Sequence, residues 1–206
     1  MSGELARVLG LPVPEIVFAQ LDRDLSRTEP DPEIHQLIYD SAGLNLALDY
    51  LPGSVSYDPA VHRMADDLAS RIVWLDAFVS NVDRTPRNTN MLMWHRAPWL
   101  IDHGATLYFH HKPGWEDDAE RARAVFPLIK DHVLLRAASA LGEIDAAMAA
   151  ALTPDVVDGI LALIPDEWLA DRATASTEHM RAAYRRYLLA RLEAPRGFTQ
   201  EAARVR

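Results

Sequence analysis

The strongest helical periodicity in this chain runs straight into a stretch of loop-forming polar residues, and that junction constrains the fold more than any other feature. Val61, Met64, Ala65, Leu68, Ile72, Leu75 and Val79 recur at helical spacing after an Asp58-Pro59 start, which predicts a helix beginning near residue 59. Val73, Trp74, Ala77 and Phe78 widen its apolar face toward the end, as expected of a helix central to a core. It gives way to Asn81-Val82-Asp83-Arg84-Thr85-Pro86-Arg87-Asn88-Thr89-Asn90. A buried helix thus delivers a loop rich in carboxylate, amide and guanidinium groups.

The flanking segments predict a mixed architecture. A short helix is expected over Gly3 to Leu9, stopped by Gly10, Pro12 and Pro14. Glu15 to Leu21 is rich in Ile, Val and Phe and reads as a strand. Residues 22–32 read as a loop, and Asp31-Pro32-Glu33 as an N-cap with Pro at the first helical position, starting a helix to about Asp40. Leu44, Leu46, Leu48 and Tyr50 alternate with Asn45, Ala47 and Asp49, so Gly43 to Leu51 is a half-buried strand. Met91 to Trp94 and Trp99 to Ile101 flank His95-Arg96-Ala97-Pro98, a hairpin turn across which Trp94 and Trp99 pair. Trp74 and Trp115 read as core. Beyond Gly104, helices are expected near 117–125, 127–140, 143–151, 154–163 and 171–193. This order implies an α+β, mainly α fold and not alternating βαβ units.

Composition removes several function classes. The net charge is −9, without the basic footprint of a nucleic-acid binder. With no cysteine, disulfides, thiolate metal sites and cysteine nucleophiles are excluded. The longest apolar run, Ala146 to Leu152, is far short of the roughly 18 residues that suggest a membrane span. Arg7 interrupts the one short apolar stretch before Pro12, so no cleavable secretory core is visible. The expectation is a cytoplasmic protein with neither nucleic-acid nor membrane partners.

The polar loop and the end of the hairpin carry the chemistry. Asp83 and Asn88 are five apart, and Asp102 follows the apolar Trp99-Leu100-Ile101 at a strand end. Phosphoryl transfer needs one carboxylate to take the proton of an attacking hydroxyl. It also needs hard oxygen ligands, an amide and a second carboxylate, to hold Mg²⁺ against nucleotide phosphates. The spacing matches the catalytic loop and metal-binding Asp of kinases. Turn chemistry also gathers Asn, Asp, Thr and Pro, and an Asp at a strand end can cap the next turn. The joint pattern of core helix, Asn-x-Asp-Arg-x-x-x-Asn, hairpin and Asp-x-Gly is much more restrictive. Asn90 is a second choice to Asn88 as ligand.

These residues resemble the HipA-like kinase family, a branch of the protein-kinase-like fold. The resemblance rests on Gly3-Glu4-Leu5-Ala6 to Leu11-Pro12-Val13-Pro14, on Gly43-Leu44-Asn45-Leu46, and above all on Asn81-Val82-Asp83-Arg84 through Asn88 and Trp99 through Gly104. It covers most of residues 1–169. It implies Mg²⁺-dependent transfer of the ATP γ-phosphoryl group to a hydroxyl, on a protein Ser or Thr. Asp83 would be the catalytic base, Asn88 and Asp102 the Mg²⁺ and nucleotide ligands, and Arg84 a support for the loop or the phosphates. The implied fold is a helical C-lobe with a central hairpin over 53–194, an N-lobe sheet remnant and hinge-like strand over 1–52, and a mobile tail over 195–206.

The departures from that pattern are specific. A kinase covers the phosphates with a Gly-rich loop and pairs them with a strand Lys. Here no two glycines lie within three residues, and Lys112 and Lys130, both beyond Asp102, are the only lysines. The family pattern places both parts ahead of the helix at Gly3, so the chain is expected to begin partway into the fold, with weak or no kinase activity alone. From a different class, the alternative is a non-catalytic kinase remnant acting as a binding module. A third is a metal-dependent hydrolase using His103, His110 and His111, although no His-Glu-x-x-His pair exists. His132 reads as a packed or capping histidine. Residues 172–206, with eight Arg against three Glu, read as a solvated helix face with Tyr184, Tyr187, Leu188 and Leu192 inward. The strand at Glu15 is expected to leave an open edge that recruits a protein partner or a second copy.

Overall fold

The computed structural model describes residues 1–118, 120–170 and 176–206. In chain order its regular elements are α1 (Ser2–Val8), β1 (Ile16–Leu21), α2 (Pro32–Asp40), β2 (Gly43–Leu48), β3 (Val55–Ser56), α3 (Asp66–Phe78), β4 (Met91–Trp94), β5 (Ala97–Leu100), α4 (Leu141–Ala151), α5 (Pro154–Ala162), α6 (Asp166–Leu169), α7 (Thr177–Leu192) and α8 (Gly197–Val205). The architecture is α+β and mainly helical, as the sequence pattern implies. It divides into two compact units, residues 14–53 and residues 1–13 with 54–206. The first thirteen residues therefore belong with the helical unit and not with the early sheet.

In the small unit β1 and β2 pair antiparallel, with Ile16 opposite Leu48 and Leu21 opposite Gly43. The strand expected to reach Leu51 ends at Leu48. The plain loop expected over 22–32 contains a 3₁₀ turn at Arg23–Thr28. Asp22 accepts from the Asp24 N–H, while the Ser26 and Thr28 hydroxyls return to the carbonyls of Arg23 and Leu25; such local bonds stabilise turns. Asp31 caps α2 through the N–H groups of Glu33 and Ile34, with Pro32 at the first helical position.

The large unit is built around α3. Nearly every residue from Ala69 to Phe78 is buried, so this helix is enclosed on all sides. It starts at Asp66 and not at the expected Pro59. Asp58 closes a separate turn, its carboxylate taking the Ala60 N–H and its carbonyl those of Val61 and His62. Val61, read as a core position, is 71% exposed. Helix α1 buries Leu5 and Ala6, and the Ser2 and Thr106 hydroxyls meet at 2.8 Å.

Strands β3, β4 and β5 form an antiparallel sheet in that order. The hairpin turn is shorter than expected: Ala97 and Pro98 already pair with Trp94 and Met93, leaving His95 and Arg96 as a two-residue turn. Both have positive φ, 48° and 66°, the geometry that matches strand twist. The Trp94 and Trp99 rings meet edge to face at 5.5 Å.

Between the hairpin and α4 the expected helices at 117–125 and 127–140 are short 3₁₀ turns, at Trp115–Asp117, Arg121–Arg123, Pro127–Asp131 and Leu135–Ala137. Extended residues Ala124 and His132 interrupt them, and the segment straps across α3 and the loop that follows it. The expected helices at 143–151 and 154–163 correspond to α4 and α5. Of the expected 171–193 helix, 177–192 is α7, and 171–175 lies outside the described residues. The last residues, expected as a mobile tail, contain α8, whose Phe198 packs against Trp74 and Phe78 at 5.3 and 5.8 Å. Asp145 of α4 ties this corner together, accepting from the Trp74 indole, Thr199 and Arg196.

Part of the positive excess at the C-terminus is paired within the chain. Arg181 pairs with Asp166, Arg185 with Asp158, Arg196 with Asp145 and Arg204 with Glu201. Tyr184, Tyr187 and Leu188 are buried as expected. Among the described residues no helix is long and apolar enough to cross a membrane.

Candidate active site

The exit of α3 fixes where the polar loop begins. The Asn81 N–H reaches back to the Asp76 carbonyl and that of Ser80 to Ala77, with Ser80 at φ 53°. This is a Schellman ending in which Ser occupies the left-handed position usual for Gly. The Phe78 carbonyl accepts from the guanidinium of Arg191 at 2.7 Å, and that of Ala77 takes a second bond from the same group at 2.8 Å. Arg191 also bonds the carbonyls of Ala122 and Ala124 and is almost fully buried. A cation at a helix C-terminus satisfies both orphan acceptors and the helix dipole.

Beneath the loop lies a closed polar network around Asp76, which is wholly buried. Its Oδ1 accepts from Asn81 Nδ2 at 2.8 Å, and its Oδ2 from Arg84 Nε at 2.5 Å and His132 Nε2 at 2.9 Å. Burial alone would push this carboxyl up, but the Arg84 guanidinium and then the His132 ring hold it well below the usual carboxylate range. Arg84 Nη1 donates to the Asn90 carbonyl. Arg84, expected to meet phosphates or steady the loop, is thus buried inside the loop's support and does the second of these.

The loop surface carries the candidate base. Asn88 Nδ2 and Asn90 Nδ2 both donate to Asp83 Oδ2, at 2.8 and 3.0 Å. Asn81 Oδ1 accepts the Asp83 N–H at 3.1 Å. The carboxylate is therefore aimed by two amides and its backbone by a third. Asn90, the second choice as ligand, also donates its amide nitrogen to the Asp83 backbone carbonyl.

Asp102 comes from the end of the hairpin and is exposed. Its backbone is bracketed by bonds to the same loop: Ile101 N–H donates to the Asn90 carbonyl, and Val82 N–H to that of Ala105. One Asp102 oxygen accepts from the Gly104 N–H at 3.1 Å. Asp102 and Asn90 have φ of 49° and 47°, a conformation that Asp and Asn tolerate better than other side chains and that gathers at functional sites. The neighbouring His103 ring has neither nitrogen bonded in this structure. Burial, followed by Arg84, lowers its pKa to about 4, so no histidine cation stands beside Asp102 at neutral pH.

The donor set fits a hard divalent cation. Asn88 spends its nitrogen on Asp83, which leaves Oδ1 for a metal, and the Asp102 carboxylate is open to solvent. Among the described residues no three His, Cys, Asp or Glu side chains gather at one point. The histidines of the hydrolase reading do not assemble. His110 and His111 lie in a 3₁₀ turn and not on a strand, with their Nε2 atoms 2.7 Å apart and His110 Nδ1 at the Tyr184 hydroxyl.

Asp83 and Asn88 are in direct contact, Asp102 is tied to the same loop through backbone, and Arg84 is internal. Sequence reasoning missed Asp76 and His132. Asp76 carries a signal in retrospect: a lone carboxylate in the apolar run Trp74-Leu75-Asp76-Ala77-Phe78 must find buried partners. His132 carries none, since its partner lies on a distant segment.

A family model described as HipA-like kinase matches residues 1–196. No curated protein and no solved structure matches the chain.

Proposed function

The chain belongs to the HipA-like kinase family, and from that premise we propose that it carries the base and metal half of a kinase site acting on a protein hydroxyl. The family suggests phosphotransfer at the coarse level. The observation that supports the finer reading is the Asp83 carboxylate held on one oxygen by Asn88 and Asn90. Its other oxygen takes the proton of a Ser or Thr hydroxyl as the hydroxyl oxygen bonds to the γ-phosphorus. The bond from the γ-phosphorus to the bridging oxygen breaks, and ADP leaves with the electron pair. Asn88 Oδ1 and Asp102 would hold the cation. When bound, Mg²⁺ neutralises the phosphate charge that develops during transfer.

The clamp on the other side of the nucleotide has no counterpart here, since Lys112 and Lys130 both follow Asp102 and the glycines are scattered. Turnover by this chain alone is accordingly weak or nil. The same observation favours the second reading, a kinase-related module that binds a partner without catalysis.

Calorimetric titration with Mg-ATP, alongside transfer of labelled γ-phosphate to a Ser/Thr peptide mixture, separates these. The kinase-half reading expects Mg²⁺-dependent nucleotide binding that Asp102→Ala abolishes, with little transfer. Absence of binding at millimolar Mg-ATP supports the module. Brisk transfer overturns the claim that the clamp is required.

A further inference from the structure

His132 grips the candidate loop from outside it. Its Nδ1 accepts the Leu134 N–H at 3.0 Å, so the ring proton is on Nε2 and is donated to Asp76 Oδ2 at 2.9 Å. The next residue, Val133, donates its N–H to the Arg84 carbonyl at 3.0 Å. One short segment therefore holds the loop twice, through the carboxylate beneath it and through its backbone.

From Asp76 two routes lead to the base. Asn81 bonds Asp76 with its amide nitrogen and the Asp83 N–H with its amide oxygen. Arg84 bonds Asp76 and the Asn90 carbonyl, and Asn90 bonds the Asp83 carboxylate. With one donor removed from Oδ2, a fully buried carboxylate turns toward those that remain, and both routes shift together. We propose that His132 is a positioning residue for Asp83 and Asn88, acting through Asp76, Asn81 and Arg84 without touching substrate or metal. This rests on the reading of Asp83 and Asn88 given above.

Gln is the matched substitution, because its terminal amide nitrogen occupies nearly the place of a histidine Nε2 and can donate to the same oxygen. The full chain and its His132→Ala, His132→Gln and Phe198→Leu variants are compared below their melting temperatures, the last as a mild core lesion against the same helix, α3, that leaves the hydrogen bonds of Asp76 in place. Two readouts are taken: the NMR shifts of the Asn88 and Asn90 side-chain amides, and affinity for Mn²⁺ measured by electron paramagnetic resonance. His132→Ala is expected to move both amide signals and weaken Mn²⁺ binding about tenfold, within the range seen when a metal ligand loses its support. His132→Gln restores both, and Phe198→Leu changes neither. Unmoved amide signals in His132→Ala, or equal losses in Phe198→Leu, overturn the proposal. If the unaltered chain binds no Mn²⁺, the metal reading fails, and the amide shifts still decide whether His132 positions the loop.

Discussion

Asn88 donates its side-chain amide to Asp83 Oδ2 at 2.8 Å, and under the proposed function that one bond decides which atom of Asn88 would face a cation. With the nitrogen committed, Oδ1 is the atom left to coordinate. Asn88→Ala removes the proposed ligand and one of the two amides that hold Asp83 Oδ2. Since Asn88 is exposed, its loss is expected to change stability by less than about 0.5 kcal/mol while weakening Mg²⁺ affinity about tenfold or more. Paired thermal melts and metal titrations check this, and a large fall in melting temperature would contradict it.

Asp76 links stability to pH. Its folded pKa lies below the unfolded value, so its contribution is complete above about pH 4 and is lost as the pH falls further. Asp76→Asn breaks a buried ion pair and is expected to cost about 3–5 kcal/mol at pH 7. The gap between the variant and the unaltered chain should narrow steadily below about pH 4. Urea unfolding at pH 3, 5 and 7 measures it.

Arg191 serves four carbonyls from two directions with one planar group. A lysine ammonium has three donors on a point and cannot span them. Arg191→Lys should therefore destabilise by about 2 kcal/mol or more, given the strength of hydrogen bonds to charged groups. Because Arg191 caps the end of α3, amide exchange should quicken first at Ser80 to Asp83.

Phe198 tests whether the C-terminal helix belongs to the core. Its ring packs on Trp74 and Phe78 and is 1% exposed. Phe198→Ala should cost about 3–5 kcal/mol, whereas a free tail would show almost no effect in chemical denaturation.

Local signals in the sequence were strong where a single segment decides its own structure. Asp31-Pro32 announces the start of α2, and the apolar run to Phe78 announces a buried helix. The motif from Asn81 to Asn88 is visible as chemistry because its side chains bond one another. What escaped reading depends on distant partners. The 3₁₀ strap between the hairpin and α4 has helical composition but gives its carbonyls to Arg191 and its His132 to Asp76. Helix α8 is short and polar on one side, and only the Trp74 corner makes Phe198 a core residue. Arg84 could be read as a support for either the loop or the phosphates, because nothing near it in sequence reveals the Asp76 carboxylate that it bonds.

Asn88 and Asp102, which precede and follow the hairpin at its open end, are proposed to share one divalent cation beside Asp83. Substoichiometric Mn²⁺ added to the isotope-labelled chain measures this directly, since paramagnetic broadening falls steeply with distance. The account predicts that the Asn88 side-chain amide and the Gly104 backbone amide broaden together at the lowest additions, and that both are spared in Asp102→Ala. Broadening of one without the other, or of neither, would contradict a shared site.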